Sequence, residues 1–328
     1  MLDRRKYGLE EGAESVDMKT GEQPVNVQVD VGICTFRRSE LANTLQSLFA
    51  QELPSNIKLR LIVADNDELP SAAALVDSLR KRSPFEVSYV HCPMSNISLA
   101  RNACLDESSG AYLAFIDDDE TAGSTWIASL LETAIKTRAD VVLGPVKAIY
   151  AANAPAWMKE GDFHSTQPVW VNGQIKTGYT CNVLLDMRSR FIKHRRFDLA
   201  LGQSGGEDTA FFANVTADGG CIAFAPQAML EEPVPAKRAS LSWLIKRRFR
   251  SGQTHGRLLR ARSSSLRRIK ELGLAGLKAV FCLTACAATV FSAPGRTGFL
   301  LRAALHFGAV GGLLGLRELR QYGSAEAT

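Results

Sequence analysis

The sequence lacks the cysteine pattern of a disulfide framework or of a zinc site. Its seven cysteines are scattered, their number is odd, and no C-x-x-C pair occurs. This usage is typical of reduced thiols in a cytosolic protein. The first residues, MLDRRKYGLEEGAES, contain no apolar run, so we expect no secretory signal there.

Two phosphate-binding motifs are also absent. No G-x-G-x-x-G follows the first predicted strand, and no G-x-x-x-x-G-K-[ST] is present. The first absence argues against a dinucleotide fingerprint, and the second argues against a P-loop. A metal-dependent nucleotide site that works without a glycine-rich phosphate cradle remains compatible with the sequence.

Predicted strands and helices alternate along the first half of the chain. The predicted strands are residues 25–33, 57–63, 85–90, 112–116 and 141–143. The helices between them begin near Ser39, Pro70, Asn96 and Ser124, and we expect Ser39 and Asn96 to act as N-caps. This order predicts an α/β fold with a doubly wound, mostly parallel sheet. We assign it to residues 25–236, after a polar tail at residues 1–24.

Four consecutive acids, Asp117 to Glu120, directly follow the apolar run Tyr112–Ile116. The run predicts a strand buried on both faces, so the acids lie beyond its carboxyl end, where open α/β sheets bind ligands. Clustered carboxylates repel one another, and a divalent cation that also bridges phosphates would relieve the repulsion. A solvated acidic turn is the alternative. Another predicted strand ends at Asp65 on the same edge, which indicates a common ligand.

A second acidic motif, Gly205-Gly206-Glu207-Asp208, begins a further predicted helix. Glycines permit a tight turn, and acids are favourable in a first helical turn because of the helix dipole. A solvated helix start would therefore explain the motif. Neighbouring helical residues face different directions, so we expect the two acids to have different roles.

Four segments, in order VGICTFRR, VADND, SLARNACLDESSGAYLAFIDDDE and GGEDTAFF, resemble the family-2 glycosyltransferases of the GT-A fold. The resemblance covers residues 29–257. The segment EEPVPAKRASLSWLIKRRFRSGQTHGR is similar to glucosyltransferases of succinoglycan-type exopolysaccharide assembly. The resemblance implies an inverting enzyme that moves a sugar, with glucose favoured, from a UDP-sugar to a hydroxyl of a lipid-linked oligosaccharide.

The resemblance also implies a donor-binding set of residues. Its members are Thr35, Phe36, Arg37, Asp65, Arg101, Asp117, Asp118, Arg247 and Arg250. The first three would line the uridine pocket, Asp65 would bond the uracil, and Arg101 would lie near the nucleotide. Arg247 or Arg250 would reach the diphosphate.

The D-x-D match implies a site for Mg²⁺ or Mn²⁺. Asp119 would bind the metal directly, and Asp117 would bind ribose or the metal through water. Because Asp118 and Glu120 are also acids, the D-x-D motif could instead correspond to residues shifted by one position. Glu231 and Glu232 stand where the family often has a histidine ligand.

The same resemblance implies catalytic roles for the second acidic motif. An acceptor hydroxyl is a poor nucleophile until a carboxylate takes its proton. Asp208 is implied as this general base, and Glu207 would orient or bond the acceptor.

Residues 237–270 are rich in lysine and arginine and contain no acid before position 271. A solvated basic face, a nucleic-acid surface and an anionic membrane surface are the competing interpretations. No nucleic-acid-binding fold accompanies the segment, and an apolar region follows at once, which favours the membrane surface. We expect no nucleic-acid partner.

Residues 271–320 contain two apolar blocks, Leu272–Phe291 and Gly298–Leu316, followed by a tail at residues 321–328. The blocks can span a bilayer, form an interfacial hairpin, or pack as soluble helices. We expect a membrane-associating helical appendage on the cytoplasmic face of the inner membrane, with other glycan-assembly proteins as candidate partners.

Two other protein classes fit part of the sequence. A sugar-nucleotide nucleotidyltransferase would share the sheet and the acidic loop, but it normally has a glycine-rich first loop, and here that loop is CTFRR. A non-catalytic membrane scaffold would tolerate loss of both acid motifs, and both are present. The segment 145–180 is predicted to be irregular, and its tryptophans either bind acceptor or form satellite cores.

Overall fold

The computed structural model describes residues 27–317. The predicted tails at residues 1–24 and 321–328 lie outside this range, as does Val25, where the first strand was predicted to begin.

The described residues form twelve strands and nine α-helices. The strands are β1 (Val27–Thr35), β2 (Ile57–Asp65), β3 (Glu86–His91), β4 (Tyr112–Asp117), β5 (Thr121–Ala122), β6 (Val141–Leu143), β7 (Val146–Ile149), β8 (Trp170–Val171), β9 (Gln174–Ile175), β10 (Asn182–Asp186), β11 (Ile222–Phe224) and β12 (Leu230–Pro233). The helices are α1 (Leu41–Phe49), α2 (Ala73–Arg80), α3 (Ile97–Glu107), α4 (Trp126–Thr137), α5 (Ala156–Gly161), α6 (Glu207–Ala217), α7 (Leu241–Arg262), α8 (Ser265–Ala288) and α9 (Ala293–Leu314).

Seven strands form the main sheet in the order β11-β6-β10-β4-β1-β2-β3. All of its pairs are parallel except those of β10, which runs antiparallel between β4 and β6. The predicted mostly parallel sheet is therefore confirmed, with one reversed strand beside the centre. The reversal brings the beginning of β10 next to the carboxyl end of β4, where the acids follow.

The central strand β4 is buried on both faces, as predicted. Leu113 and Phe115 belong to one core cluster, and Ala114 and Ile116 belong to the other. Each fully buried large apolar side chain stabilises the fold by roughly 1.5–3 kcal/mol. Burial on both sides therefore fixes the position of the acidic loop that follows.

The two predicted N-caps have different outcomes. Asn96 caps α3, since its side-chain oxygen accepts from the backbone N–H groups of Ser98 and Leu99 at 3.1 and 3.3 Å. Ser39 does not cap α1. Glu40 occupies the position before that helix, and the Ser39 hydroxyl donates to the Glu40 carboxylate instead.

The segment 145–180 is more regular than predicted. It contains β7, α5 and the hairpin formed by β8 and β9, and β7 pairs with β12 in a second small sheet. This pairing joins distant parts of the chain, so local periodicity did not reveal it. Trp157 packs near Phe163, in agreement with the satellite-core alternative, whereas Trp170 on the hairpin is exposed.

The basic segment is divided between two helices, because α7 ends at Arg262 and α8 begins at Ser265. Both α8 and α9 are long and apolar enough to cross a membrane by length and composition. Helix α9 begins at Ala293, before the apolar block predicted from Gly298, because Ser292 caps it and Pro294 lies in its first turn.

Helices α7 and α9 cross at backbone contact distance. A Cβ atom added at Gly252 or Gly308 would lie 1.9 Å from a carbonyl oxygen of the facing helix. The corresponding distance at Gly256 and Gly312 is 2.2 Å. Small residues four positions apart on both helices allow this close approach. The crossing was not predicted from the sequence.

Candidate active site

Three strand ends meet at the carboxyl edge of the main sheet. Thr35 ends β1 opposite Asp65 of β2, and Cys34 lies opposite Asp117 of β4. The Thr35 hydroxyl donates to Asp118 Oδ2 at 2.8 Å. The acidic strand ends that were predicted to share this edge do so.

The four acids at the end of β4, Asp117 to Glu120, are not a solvated turn. Asp118 and Glu120 are 8% and 1% exposed. Burial first, and then the neighbouring carboxylates, raise the pKa of Asp117 to about 6 and that of Asp118 to about 7. Glu120 turns inward, where its Oε2 accepts from the Asp117 N–H at 2.9 Å, and burial raises its pKa well above the usual range.

Two arginines offset part of this negative charge. Arg38 Nη1 and Arg238 Nη2 each lie 3.5 Å from Asp119 Oδ2. Arg238 Nη1 also donates to Glu232 Oε1 at 2.8 Å. Asp119 is therefore at the centre of a charge cluster whose residues lie near the ends of β1, β4 and β12.

The carboxylates of this cluster fit a hard divalent cation. Within residues 27–317, no group of three or more His, Cys, Asp and Glu side chains is arranged to hold a metal ion. Mg²⁺ usually binds through one or two carboxylates and fills its other positions with water and substrate phosphates. Asp117 and Asp119 would supply such a pair. Burial first, and then neighbouring negative charge, raise the pKa of Asp117, and a cation would favour its charged form. Glu232 adds a further carboxylate nearby.

The first loop is held by an ion pair within the protein. Arg37 donates to Asp67 through Nε and Nη2, at 2.9 and 2.8 Å, and its guanidinium lies 5.1 Å from the centre of the Phe36 ring. These contacts fix the loop beside β1. The uridine-binding role of Phe36 and Arg37 stays a prediction.

The side chain of Asp65 is fully buried and engaged by protein groups. Its Oδ1 accepts from the Asp67 N–H at 3.1 Å, and its Oδ2 accepts from the Ala72 N–H at 2.8 Å and from the Tyr89 hydroxyl at 2.7 Å. Asp65 thus anchors the loop between β2 and α2. Its predicted bond to uracil remains untested, and a base would have to compete with these donors.

Helix α6 begins at Glu207, as predicted, after a tight turn. Gly205 and Gly206 have φ values of 85° and 90°, a conformation that other residues rarely adopt. A Cβ atom at Gly206 would lie 2.4 Å from Thr254 Cγ2 of α7. The turn before α6 therefore depends on glycine both for its backbone conformation and for its contact with α7.

Glu207 and Asp208 face different surroundings. Glu207 is 3% exposed and forms an ion pair with Arg101. Asp208 is partly exposed, and its Oδ1 accepts from the Thr209 N–H at 2.5 Å. Burial first, and then Glu207, raise the pKa of Asp208 to about 6. Access and a pKa near neutrality are the properties that a general base requires.

Arg101 was predicted to lie near the nucleotide, and the structure places it between the two acid motifs. Burial opposes its charge, but the carboxylates of Glu207, Asp208 and Asp117 outweigh burial and raise the pKa of Arg101. Its guanidinium also lies 5.6 Å from the centre of the Phe197 ring. Its observed partner is Glu207, so a direct contact with donor stays a prediction.

Helix α7 brings the two predicted basic residues to the same region. Arg250 lies beside the glycine turn, because its Cζ is 3.6 Å from the position of a Cβ atom at Gly205. Arg247 lies 5.3 Å from the centre of the Trp243 ring. Burial lowers the pKa of Arg247, and Glu232 is the strongest opposing influence.

Cys181 lies between the acid motifs. It directly precedes β10, whose first residue, Asn182, lies opposite Ile116 of β4. Burial first, and then Glu120, Asp117, Glu232 and Asp208 in that order, raise the pKa of its thiol.

The chain also resembles known proteins over most of its length. The family described as Glycosyl transferase family 2 matches residues 30–190. Succinoglycan biosynthesis protein ExoM of Rhizobium meliloti (strain 1021) is 57% identical over 302 residues, which cover 92% of this chain and 98% of that protein. The chain belongs to glycosyltransferase family 2. This glycosyltransferase is also 24% identical over 252 residues, covering 69% of it and 75% of the relative, to glucosyl-dolichyl phosphate glucuronosyltransferase of Haloferax volcanii.

Solved glycosyltransferase structures share the fold. TarS residues 1–349 of S. aureus in complex with UDP align with a TM-score of 0.50 at 15% identity, covering 87% of this glycosyltransferase and 88% of TarS 1–349. GalNAc-T7 with UDP, GalNAc and Mn²⁺ aligns with a TM-score of 0.52 at 13% identity, covering 67% and 47% of the two chains. These likenesses confirm the predicted GT-A fold.

Sequence reasoning missed several residues that contribute to the site of this glycosyltransferase. They are Arg38, Cys181 and Arg238, whereas Glu232 was noted only as a replacement for histidine. Arg38 stands next to Arg37 in CTFRR, and Arg238 follows Glu232 by six positions, so both had a weak local signal. Cys181 had none, because its position near the acids depends on the pairing of the reversed strand β10 with β4.

Proposed function

We propose that this glycosyltransferase transfers glucose from a UDP-sugar to a hydroxyl of a lipid-linked oligosaccharide during exopolysaccharide synthesis. The position of Arg101 supports the proposal, because it forms an ion pair with Glu207, the neighbour of Asp208, and the charges of both Asp208 and Asp117 raise its pKa. The identity to ExoM supports exopolysaccharide synthesis, and the UDP complex of TarS supports a UDP-linked donor.

The donor side of the mechanism depends on opposite charges around the diphosphate. A Mg²⁺ or Mn²⁺ ion held by Asp119 and Asp117 would neutralise charge on the departing diphosphate. Arg38 and Arg238 lie against Asp119 and add positive charge in the same place. Thr35 holds Asp118 and thereby fixes the loop that carries these groups.

The acceptor side depends on Asp208. Its Oδ1 is engaged by Thr209, so we assign Oδ2 to take the proton of the attacking hydroxyl. Glu207 is held by Arg101 and positions the turn that carries Asp208. Attack in a single displacement inverts the anomeric carbon, so an α-linked donor gives a β-glycoside.

We place the enzyme on the cytoplasmic face of the inner membrane. The two apolar C-terminal helices support membrane association. A UDP-sugar and a lipid-linked acceptor meet only where a cytoplasmic nucleotide can reach a membrane lipid, and the predicted reduced thiols agree with that compartment.

A donor screen tests the proposal. Full-length enzyme is incubated with each labelled UDP-sugar, Mn²⁺ or Mg²⁺, and lipid-linked saccharide acceptors, and both UDP release and labelled lipid are measured. We expect acceptor-dependent release with UDP-glucose. Pyrophosphate exchange into the nucleotide sugar would instead identify a nucleotidyltransferase, and absence of turnover with every donor and acceptor would favour a scaffold.

A further inference from the structure

Helix α8 presents an apolar stripe that no element within residues 27–317 covers. Its inward side, at Ala275, Ala279 and Cys282, is buried toward α9. Its outward side exposes large apolar side chains at helical spacing along its length and just beyond its end: Leu266, Ile269, Leu277, Val280, Phe281 and Phe291. A continuous apolar face of this length marks an interaction surface.

The charge beside the stripe is positive. Arg267, Lys270 and Lys278 are exposed on α8. Glu271 is the only acid of this helix, and it lies 3.8 Å from Arg267. An apolar face with a cationic border is complementary to anionic lipid headgroups above an acyl layer.

The neighbouring helix α9 is more buried than α8. Half of its most apolar 18-residue window is buried, compared with 17% of the window in α8. Its glycine face lies against α7 at the crossing described above. Helix α7 also contacts the glycine turn before α6, since Arg257 Nη2 donates to the Gly205 carbonyl oxygen at 3.2 Å.

These contacts are incompatible with a bilayer-spanning α9. To span, α9 would have to carry α7 and its many arginines into hydrocarbon, where charged side chains are unfavourable. Otherwise α9 would have to separate from α7 and break the glycine crossing.

We propose that α8 lies in the plane of an anionic membrane surface and attaches the enzyme to one leaflet, with neither α8 nor α9 crossing the bilayer. Helix α9 is then the internal support that joins α8 to α7. The attachment concerns lipid alone and does not depend on the proposed donor or acceptor.

Vesicle flotation without substrate tests whether the apolar stripe of α8 binds an anionic membrane. Full-length protein is added to preformed vesicles of phosphatidylcholine with or without phosphatidylglycerol. We expect flotation with the anionic vesicles and at least about tenfold weaker binding after the double change Leu277→Glu and Phe281→Glu, because both side chains belong to the stripe. The matched control is Ile135→Glu on α4, which replaces an equally exposed apolar residue, 67% against 70% for Leu277.

Flotation of the double variant like the parent would overturn the proposal. It would also be overturned if the parent stayed with the soluble fraction as a dimer that the double change dissociates, because the stripe would then bind a second copy of the chain.

Cysteine labelling tests the in-plane geometry. Ser265→Cys and Arg296→Cys each add one thiol, at the start of α8 and in the first turn of α9 beyond its other end, in a background in which exposed Cys221 is changed to serine. We expect a membrane-impermeant maleimide, added outside vesicles, to label both positions to the same extent above the background protein. Labelling of Arg296→Cys only after detergent lysis would show that the hairpin enters or crosses the bilayer and would overturn the proposal.

Discussion

Arg101 and Glu207 form a buried ion pair between two helices, although 106 positions separate them in the chain. The pair joins α3, which follows the sheet edge, to the first residue of α6. Glu207 Oε2 accepts no hydrogen bond from any residue within 27–317 and is buried. Glu207 therefore faces the interior, whereas Asp208 is partly exposed.

Removing one member of this pair is expected to destabilise the fold. Arg101→Met leaves Glu207 charged and buried without its partner, which costs about 3–5 kcal/mol. Urea unfolding measures the loss. The matched control is Arg196→Met, because Arg196 pairs with Asp106 at the surface, with exposures of 42% and 63%, and exposed pairs contribute about 0–1 kcal/mol. Equal losses in the two variants would contradict the assigned importance of burial.

Asp208→Asn is expected to abolish transfer and leave donor binding nearly intact. The amide keeps the shape of the side chain but cannot accept the acceptor proton, so kcat falls by roughly 10²–10⁴-fold. Turnover and UDP-sugar affinity are measured separately. Asp218→Asn at the other end of α6 is the control, since the exposed carboxylate of Asp218 pairs with Arg195. Weak donor binding with unimpaired turnover would refute the role of Asp208.

The pH dependence of kcat/KM should report the ionisation of Asp208. Asp208 must be charged to accept a proton, and burial followed by Glu207 raises its pKa to about 6. Below that pH, kcat/KM should fall about tenfold per pH unit. In Glu207→Gln a neighbouring negative charge is lost and Arg101 remains to favour the charged form, so the pKa of Asp208 falls and the acidic limb moves to lower pH. A limb that stays in place or moves upward would argue against Asp208 as the titrating base.

The Mn²⁺ dependence of UDP binding should change when Asp119 is replaced. We expect Asp119→Asn to raise the Mn²⁺ concentration needed for half-maximal UDP binding by at least about tenfold, because a ligand is lost. The readout is metal-dependent UDP affinity, which needs no acceptor. Glu231→Gln is the control, since Glu231 is exposed whereas its neighbour Glu232 belongs to the charge cluster. Identical metal titrations for Asp119→Asn and the unchanged enzyme would remove Asp119 from the site.

The same substitution at two helical glycines should have opposite effects. Gly308→Ala forces a methyl group against the backbone of α7, and overpacking of this kind costs about 1–3 kcal/mol. Gly273→Ala in α8 has nothing within 4 Å and should stabilise by about 0.4–1 kcal/mol, because it restricts the unfolded chain. Thermal unfolding of both variants measures the difference. A neutral Gly308→Ala would show that the two helices do not cross as closely as described.

Much of the fold could be predicted from local pattern. The apolar run before Asp117, the cap at Asn96 and the helix beginning at Glu207 all follow from neighbouring residues, and the structure confirms each of them. The reversed strand β10 and the pairing of β7 with β12 could not be predicted in this way, because both join segments that are distant in sequence.

The sequence by itself determined which residues are candidates for the chemistry: the acids at the end of β4, the acids that begin α6, and the basic and apolar segments that follow. Tertiary structure alone decided their partners. It paired Glu207 with Arg101, grouped Asp119 with Arg38 and Arg238, and laid α9 against α7. Secondary structure follows from local steric and hydrophobic periodicity, whereas charge pairing and helix crossing depend on distances that only the folded chain establishes.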